Sequence, residues 1–222
     1  MKPLDQCLLY TFIDTVYLHG RDAADVAKQL CEGGSDLIQL RAKDRDIDDV
    51  LRLANKVSPI IRAAGVGLVI NDYPRIAAEV GAPFCHLGQE DFFDSGYQKV
   101  EEVNPGAAPL VGLSSHAPEQ AQCAIKAGAA YVAIGPVYST PTKPGARAAG
   151  LEYVRWAAEH VTIPWFAIGG LNLERLDQVI NAGARRICAV SAILNAPDVA
   201  EACQVFKERL ISAGRPKNGG SN

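Results

Sequence analysis

The chain reads as an α/β protein of the TIM (β/α)8 barrel class. Three observations carry that expectation. Eight short apolar runs of strand type alternate with longer amphipathic runs of helix type along nearly the whole length. Most of the short runs are continuously apolar rather than alternating, the pattern of parallel strands covered on both faces. No two neighbouring runs are joined by a hairpin-type turn, so each connection is a crossover. An open doubly wound sheet fits the same pattern without closure and is the runner-up.

The strand-type runs, in order, are Cys7 to Ile13, Leu37 to Leu40, Gly67 to Ile70, Phe84 to Leu87, Leu110 to Leu113, Tyr131 to Ile134, Pro164 to Ile168 and Arg186 to Val190. Between them lie helix-type segments such as Ala23 to Cys31, Ile47 to Ala64, Pro118 to Ala127 and Glu174 to Ala182, with a last amphipathic stretch from Asp198 to about Gly214. Glycines at 33 and 34, 65, 81, 128 and 183 stop the helices just before the next strand, where a left-handed backbone is needed. An Ala-Gly-Ala connection recurs at Ala127 to Ala129 and Ala182 to Ala184, supporting a repeated βα unit. One barrel domain over residues 1–215 is expected, with 216–222 a polar, glycine-rich disordered tail.

Composition narrows the partners. The 222 residues are 48% hydrophobic and 21% charged, with a net charge of −3. Such a chain has no broad basic surface for a nucleic-acid backbone, so phosphate recognition should be local. No apolar stretch reaches the roughly 18 residues of a membrane span, and the N-terminus lacks the order of a secretory signal. Six cysteines form no CxxC pair and have no histidines at metal-ligand spacing; they read as reduced thiols of a cytoplasmic protein. A homo-oligomer is left open.

In a barrel the functional groups belong on the loops that follow the strands. After the second strand Gln39, Arg41 and Lys43 alternate, so an amide, a guanidinium and an ammonium can point the same way as a donor set for a diphosphate. After the third and fourth come Asn71-Asp72 and Gly88-Gln89-Glu90-Asp91. Two carboxylates at neighbouring strand ends suit a hard cation such as magnesium. The bland readings are a helix cap for Asp72 and a solvated turn for Asp91. The fifth strand ends in Ser114-Ser115-His116 without a nucleophile-elbow context, so Ser114 reads as a hydrogen-bonding pocket residue.

The sixth loop, Gly135 to Gly145, reads GPVYSTPTKPG. Its prolines stiffen it, its end glycines suit it to move as a unit, and Thr140, Thr142 and Lys143 give it hydroxyls and a cation. After the seventh and eighth strands come Gly169-Gly170 and Val190-Ser191, where backbone amides can approach a monophosphate. The ring of loops thus offers two phosphate-seeking regions, for two small phosphorylated substrates side by side.

The phrases QLRAKD, IND, HLGQED, SSH, GPVYSTPTKPG, AIGG and VSAI stand in that order between Gln39 and Ile193. With them the chain resembles the thiamine-phosphate synthase family over roughly Tyr10 to Ile193. The resemblance implies a barrel that joins a hydroxymethylpyrimidine diphosphate to a hydroxyethylthiazole phosphate with Mg2+. It implies that Gln39, Arg41, Lys43, Asn71 and Lys143 hold the diphosphate, with Lys143, Arg41 and Ser114 in catalytic roles. By the same resemblance Asp72 and Asp91 bind magnesium, Ser114 lies by the pyrimidine, and Thr140, Thr142, Gly170, Val190 and Ser191 surround the thiazole phosphate. Two rivals remain: a thiazole tautomerase-like relative, with His116 as its base, and a barrel that binds phosphorylated metabolites without turnover.

Overall fold

The computed structural model describes residues 1–103, 108–140, 145 and 147–214. Eight parallel strands form a closed barrel in sequence order: β1 (Leu9–Asp14), β2 (Leu37–Arg41), β3 (Gly67–Asn71), β4 (Phe84–Leu87), β5 (Leu110–Ser115), β6 (Tyr131–Ile134), β7 (Trp165–Ala167) and β8 (Ile187–Cys188). Closure is made by β1 against β8, through Leu9 with Ile187 and Tyr10 with Cys188. That pairing decides between the barrel and the open sheet. The expected disordered tail lies outside the described residues.

Nine helices are described: α1 (Ala23–Glu32), α2 (Ile47–Ala63), α3 (Pro74–Glu79), α4 (Gln89–Phe93), α5 (Pro118–Lys126), α6 (Gly150–His160), α7 (Leu173–Asn181), α8 (Ser191–Leu194) and α9 (Val199–Gly214). Side-chain oxygens of Asp22, Asp46 and Asn172 accept amide hydrogens in the first turns of α1, α2 and α7, fixing where each helix starts. Asp91 lies in α4, which sets aside the bland alternative of a solvated turn, and the residues after β8 form the short helix α8. The expected eighth strand therefore shortens from Arg186–Val190 to two residues.

Each strand has two buried faces. In β1, Leu9 and Ile13 pack against the helices, while Tyr10 and Phe12 enter the barrel interior with Leu37, Val69, Phe84, Tyr131, Phe166 and Cys188. Both faces being apolar explains why the sequence runs are continuous. A glycine makes room for the largest of these interior groups. A Cβ at Gly112 would stand 2.1 Å from Cζ of Tyr131, so only a residue without one lets that ring cross the barrel. All six thiols are unpaired; Cys123 is exposed, and Cys7, Cys85, Cys188 and Cys203 are buried. Among the described residues no helix is long and apolar enough to cross a membrane.

Candidate active site

A cavity of about 650 Å³ opens at the carboxyl end of the barrel, where strand ends deliver side chains from every loop to one place. Gln39, Arg41, Lys43, Asn71, Asp72, Asp91, Ser114, Thr140, Gly170, Val190 and Ser191 all line it. Thr142 and Lys143 lie outside the described residues.

The cationic side is built by β2. Gln39 and Arg41 alternate into the interior, and Lys43 continues the same face just beyond the strand. Strand register pairs Asp14 with Arg41, and Asp14 Oδ2 lies 2.8 Å from Arg41 Nη1. The Asp14 side chain is fully buried. A buried carboxylate beside a guanidinium fixes the plane and direction of the fork. Asp14 was not singled out from the sequence, although it is a charged residue ending an apolar strand.

Lys43 Nζ stands 3.1 Å from Asp72 Oδ2 and 4.0 Å from Asp91 Oδ2. The end of β3 and the first turn of α4 therefore bring both carboxylates to one ammonium. Asp72 sits in the left-handed region with φ of 65°, a conformation that Asp tolerates better than most residues. It caps no helix, since α3 begins after Tyr73 with no side-chain cap. Its Oδ1 is buried without a hydrogen-bond partner, an orphaned hard oxygen on the carboxylate that meets Lys43. Among the described residues no group of three His, Cys, Asp or Glu is assembled for a metal. Two carboxylates fit magnesium, which takes few protein ligands and fills its shell with water and phosphate oxygens.

Ser114 Oγ accepts the backbone N–H of Gln89 at 3.1 Å, tying the end of β5 to the start of α4. His116 donates from Nδ1 to the Gly135 carbonyl at 2.5 Å, and its Nε2 lies 3.8 Å from Glu90 Oε1. His86, on the interior face of β4, was also missed, although it follows Phe84 at the strand period of two. It stacks on Tyr131 with ring centres 5.7 Å apart. Burial, aided by the Lys43 charge, lowers its pKa to about 4, so it is neutral at ordinary pH.

The opposite side is neutral. Gly169 and Gly170 have φ of 104° and 62°, and a Cβ at Gly170 would stand 2.7 Å from the Ser139 carbonyl oxygen. The Gly170 carbonyl accepts Arg175 Nη1 at 2.8 Å, and that guanidinium lies 4.6 Å from the Tyr138 ring centre. Ser191 opens α8, whose first amides have no intrahelical acceptor. The base of the sixth loop is stitched to the seventh: Val137 N–H donates to Ile168 and Tyr138 N–H to Gly169. Gly135, at the start of that loop, packs against the seventh strand's exit. A Cβ there would stand 2.1 Å from the Ile168 carbonyl oxygen.

Comparison with known proteins follows the same outline. The thiamine monophosphate synthase family profile matches residues 9–193. A thiamine-phosphate synthase of Thermus thermophilus is 48% identical over 187 residues, covering 84% of this chain and 88% of that one. One from Thermobifida fusca is 41% identical over 214 residues, covering 96% of each. Among solved structures, a thiamine phosphate pyrophosphorylase from Pyrococcus furiosus superposes with a TM-score of 0.85 at 27% identity, over 96% of this chain and all of that one. A 3-hexulose-6-phosphate synthase shares the fold at a TM-score of 0.61 and 20% identity, covering 93% of this chain and 99% of that one. The chain belongs to the thiamine monophosphate synthase family of transferase enzymes.

Proposed function

We propose that this enzyme joins 4-amino-2-methyl-5-hydroxymethylpyrimidine diphosphate to 4-methyl-5-(2-hydroxyethyl)thiazole phosphate, releasing diphosphate and forming thiamine phosphate. One observation supports the reading above the others: a single cavity has two anion-seeking sides of different chemistry. The Gln39, Arg41, Lys43 and Asn71 side is cationic and amide-rich, with Asp72 and Asp91 at its edge. The Gly169, Gly170 and Ser191 side offers backbone amides and a hydroxyl. The first suits a diphosphate with a divalent cation, the second a monophosphate.

In the proposed reaction the bond from the pyrimidine methylene carbon to the diphosphate oxygen breaks, and its electron pair leaves with the diphosphate. The thiazole nitrogen donates its pair to that carbon. Arg41, aimed by Asp14, and Lys43 stabilise charge as it develops on the leaving oxygens. Asp72 and Asp91 would hold magnesium, which supplies further charge neutralisation at the diphosphate when bound. Ser114 would lie by the pyrimidine, and Thr140, Thr142, Gly170, Val190 and Ser191 would hold the thiazole phosphate. Lys143 belongs to the proposed diphosphate set through the family resemblance. No protein nucleophile is required, because holding two substrates face to face supplies much of the advantage.

The test is direct: purified enzyme with both substrates and magnesium should form thiamine phosphate and diphosphate in equal amounts. A preparation that binds both phosphates yet forms no product would leave only the metabolite-binding reading. Isomerisation of the thiazole phosphate alone would support the tautomerase-like one.

A further inference from the structure

At the floor of the cavity three hydrogen bonds run across the barrel axis and link four strands. Gln39 Nε2 on β2 donates to Tyr10 Oη on β1 at 2.5 Å. The hydroxyls of Tyr10 and Tyr131, from β1 and β6, are 3.0 Å apart, and Tyr131 Oη lies 3.1 Å from His86 Nδ1 on β4. Both tyrosines are at most 1% exposed. A buried hydroxyl proton left without an acceptor is strongly disfavoured, so each should be spent on one of these bonds.

That requirement gives the chain a direction. An amide nitrogen only donates, so Tyr10 Oη accepts from Gln39 and passes its own proton to Tyr131. Tyr131, having accepted, donates its proton to His86 Nδ1. His86 must then carry its single proton on Nε2. With the Gln39 amide turned over, all three bonds would run backward and place that proton on Nδ1. The rings are held for the purpose: Tyr10 stacks on Phe12 at 5.2 Å and Tyr131 meets Phe166 edge-on at 5.6 Å. Gly112 leaves the space that Tyr131 needs.

We infer that Tyr131, directed by Gln39 through Tyr10, is a positioning residue that fixes His86 as an Nε2–H donor for a ring-edge acceptor on the heteroaromatic substrate. The substrate half of this rests on the synthase reading. The proton assignment does not.

Long-range 15N–1H correlation on histidine-labelled whole protein at pH 7.5, with the His86 signals identified through His86→Gln, reads the tautomer. The expected result is a single Nε2–H form in the wild type and a mixture of both tautomers in Tyr131→Phe. By calorimetry that variant should bind the pyrimidine diphosphate about 2- to 10-fold more weakly while holding inorganic diphosphate as the wild type does. A wild-type proton on Nδ1 would overturn the inference, and this arm requires no variant to fold. An unchanged tautomer in folded Tyr131→Phe would overturn it as well. An active synthase with the proton on Nδ1 removes the chain and keeps the proposed reaction; an Nε2–H form without turnover does the reverse.

Discussion

Asp14 and Arg41 are neighbours in register on β1 and β2, and their side chains meet at 2.8 Å with the carboxylate fully buried. The pair places a guanidinium on the cavity wall and leaves it few other directions to point. Asp14→Asn keeps the volume but removes the charge. It should weaken inorganic diphosphate binding by roughly tenfold and lower stability by about 2 kcal/mol. Calorimetric titration with urea unfolding checks both, and wild-type values in the two measurements would show that Arg41 is oriented by something else.

The two carboxylates beside Lys43 predict a divalent-ion site that needs both. Asp72→Asn and Asp91→Asn should each reduce Mg2+ affinity in the presence of inorganic diphosphate by at least about tenfold, and turnover should fall with it. Asp72 should matter more, since its Oδ1 is buried without a partner while Asp91 is exposed. Two variants with undiminished Mg2+ binding and full rates in a chelator would end the metal assignment.

The two sides of the cavity should be separable. Arg41→Ala should weaken diphosphate binding and spare the thiazole phosphate; Ser191→Ala should do the opposite, losing about 1 kcal/mol for one hydrogen bond. Gly170→Ala should damage the monophosphate side by distortion, because a methyl there would meet the Ser139 carbonyl and the residue has φ of 62°. Equal losses for both ligands in Arg41→Ala and Ser191→Ala would contradict a divided site.

His86 predicts a pH dependence of folding. Its pKa falls from 6.5 unfolded to about 4 in the barrel, chiefly through burial. The unfolded chain then binds the proton that the folded chain refuses, so this contribution is complete above about pH 6.5 and is lost as pH falls through about 4. The difference is on the order of 3 kcal/mol. Urea midpoints of wild type and His86→Gln between pH 4 and 7 would show it as a shallower pH slope in the variant. Parallel slopes would mean that other groups set the acid sensitivity.

Local chemistry settles most of the element order and little of the geometry. Eight apolar runs, their glycine stops and the absence of hairpin turns are properties of neighbouring residues, so the alternation was legible from the chain. So were Gln39, Arg41 and Lys43, because the strand period of two carries them to one wall. Closure was not legible: an open sheet and a barrel bury the same runs, and only the Leu9 to Ile187 and Tyr10 to Cys188 pairings separate them. Inward and outward positions were equally hidden, since both strand faces are apolar. That concealed His86 and the chain from Gln39 to Tyr131, whose hydroxyl contact with Tyr10 joins residues 121 apart. Asp14 escaped notice for the same reason, its meaning lying in a partner 27 residues away. A side chain's type announces what it can bond with, but the bond is made by register and closure, which depend on the packing of the whole barrel.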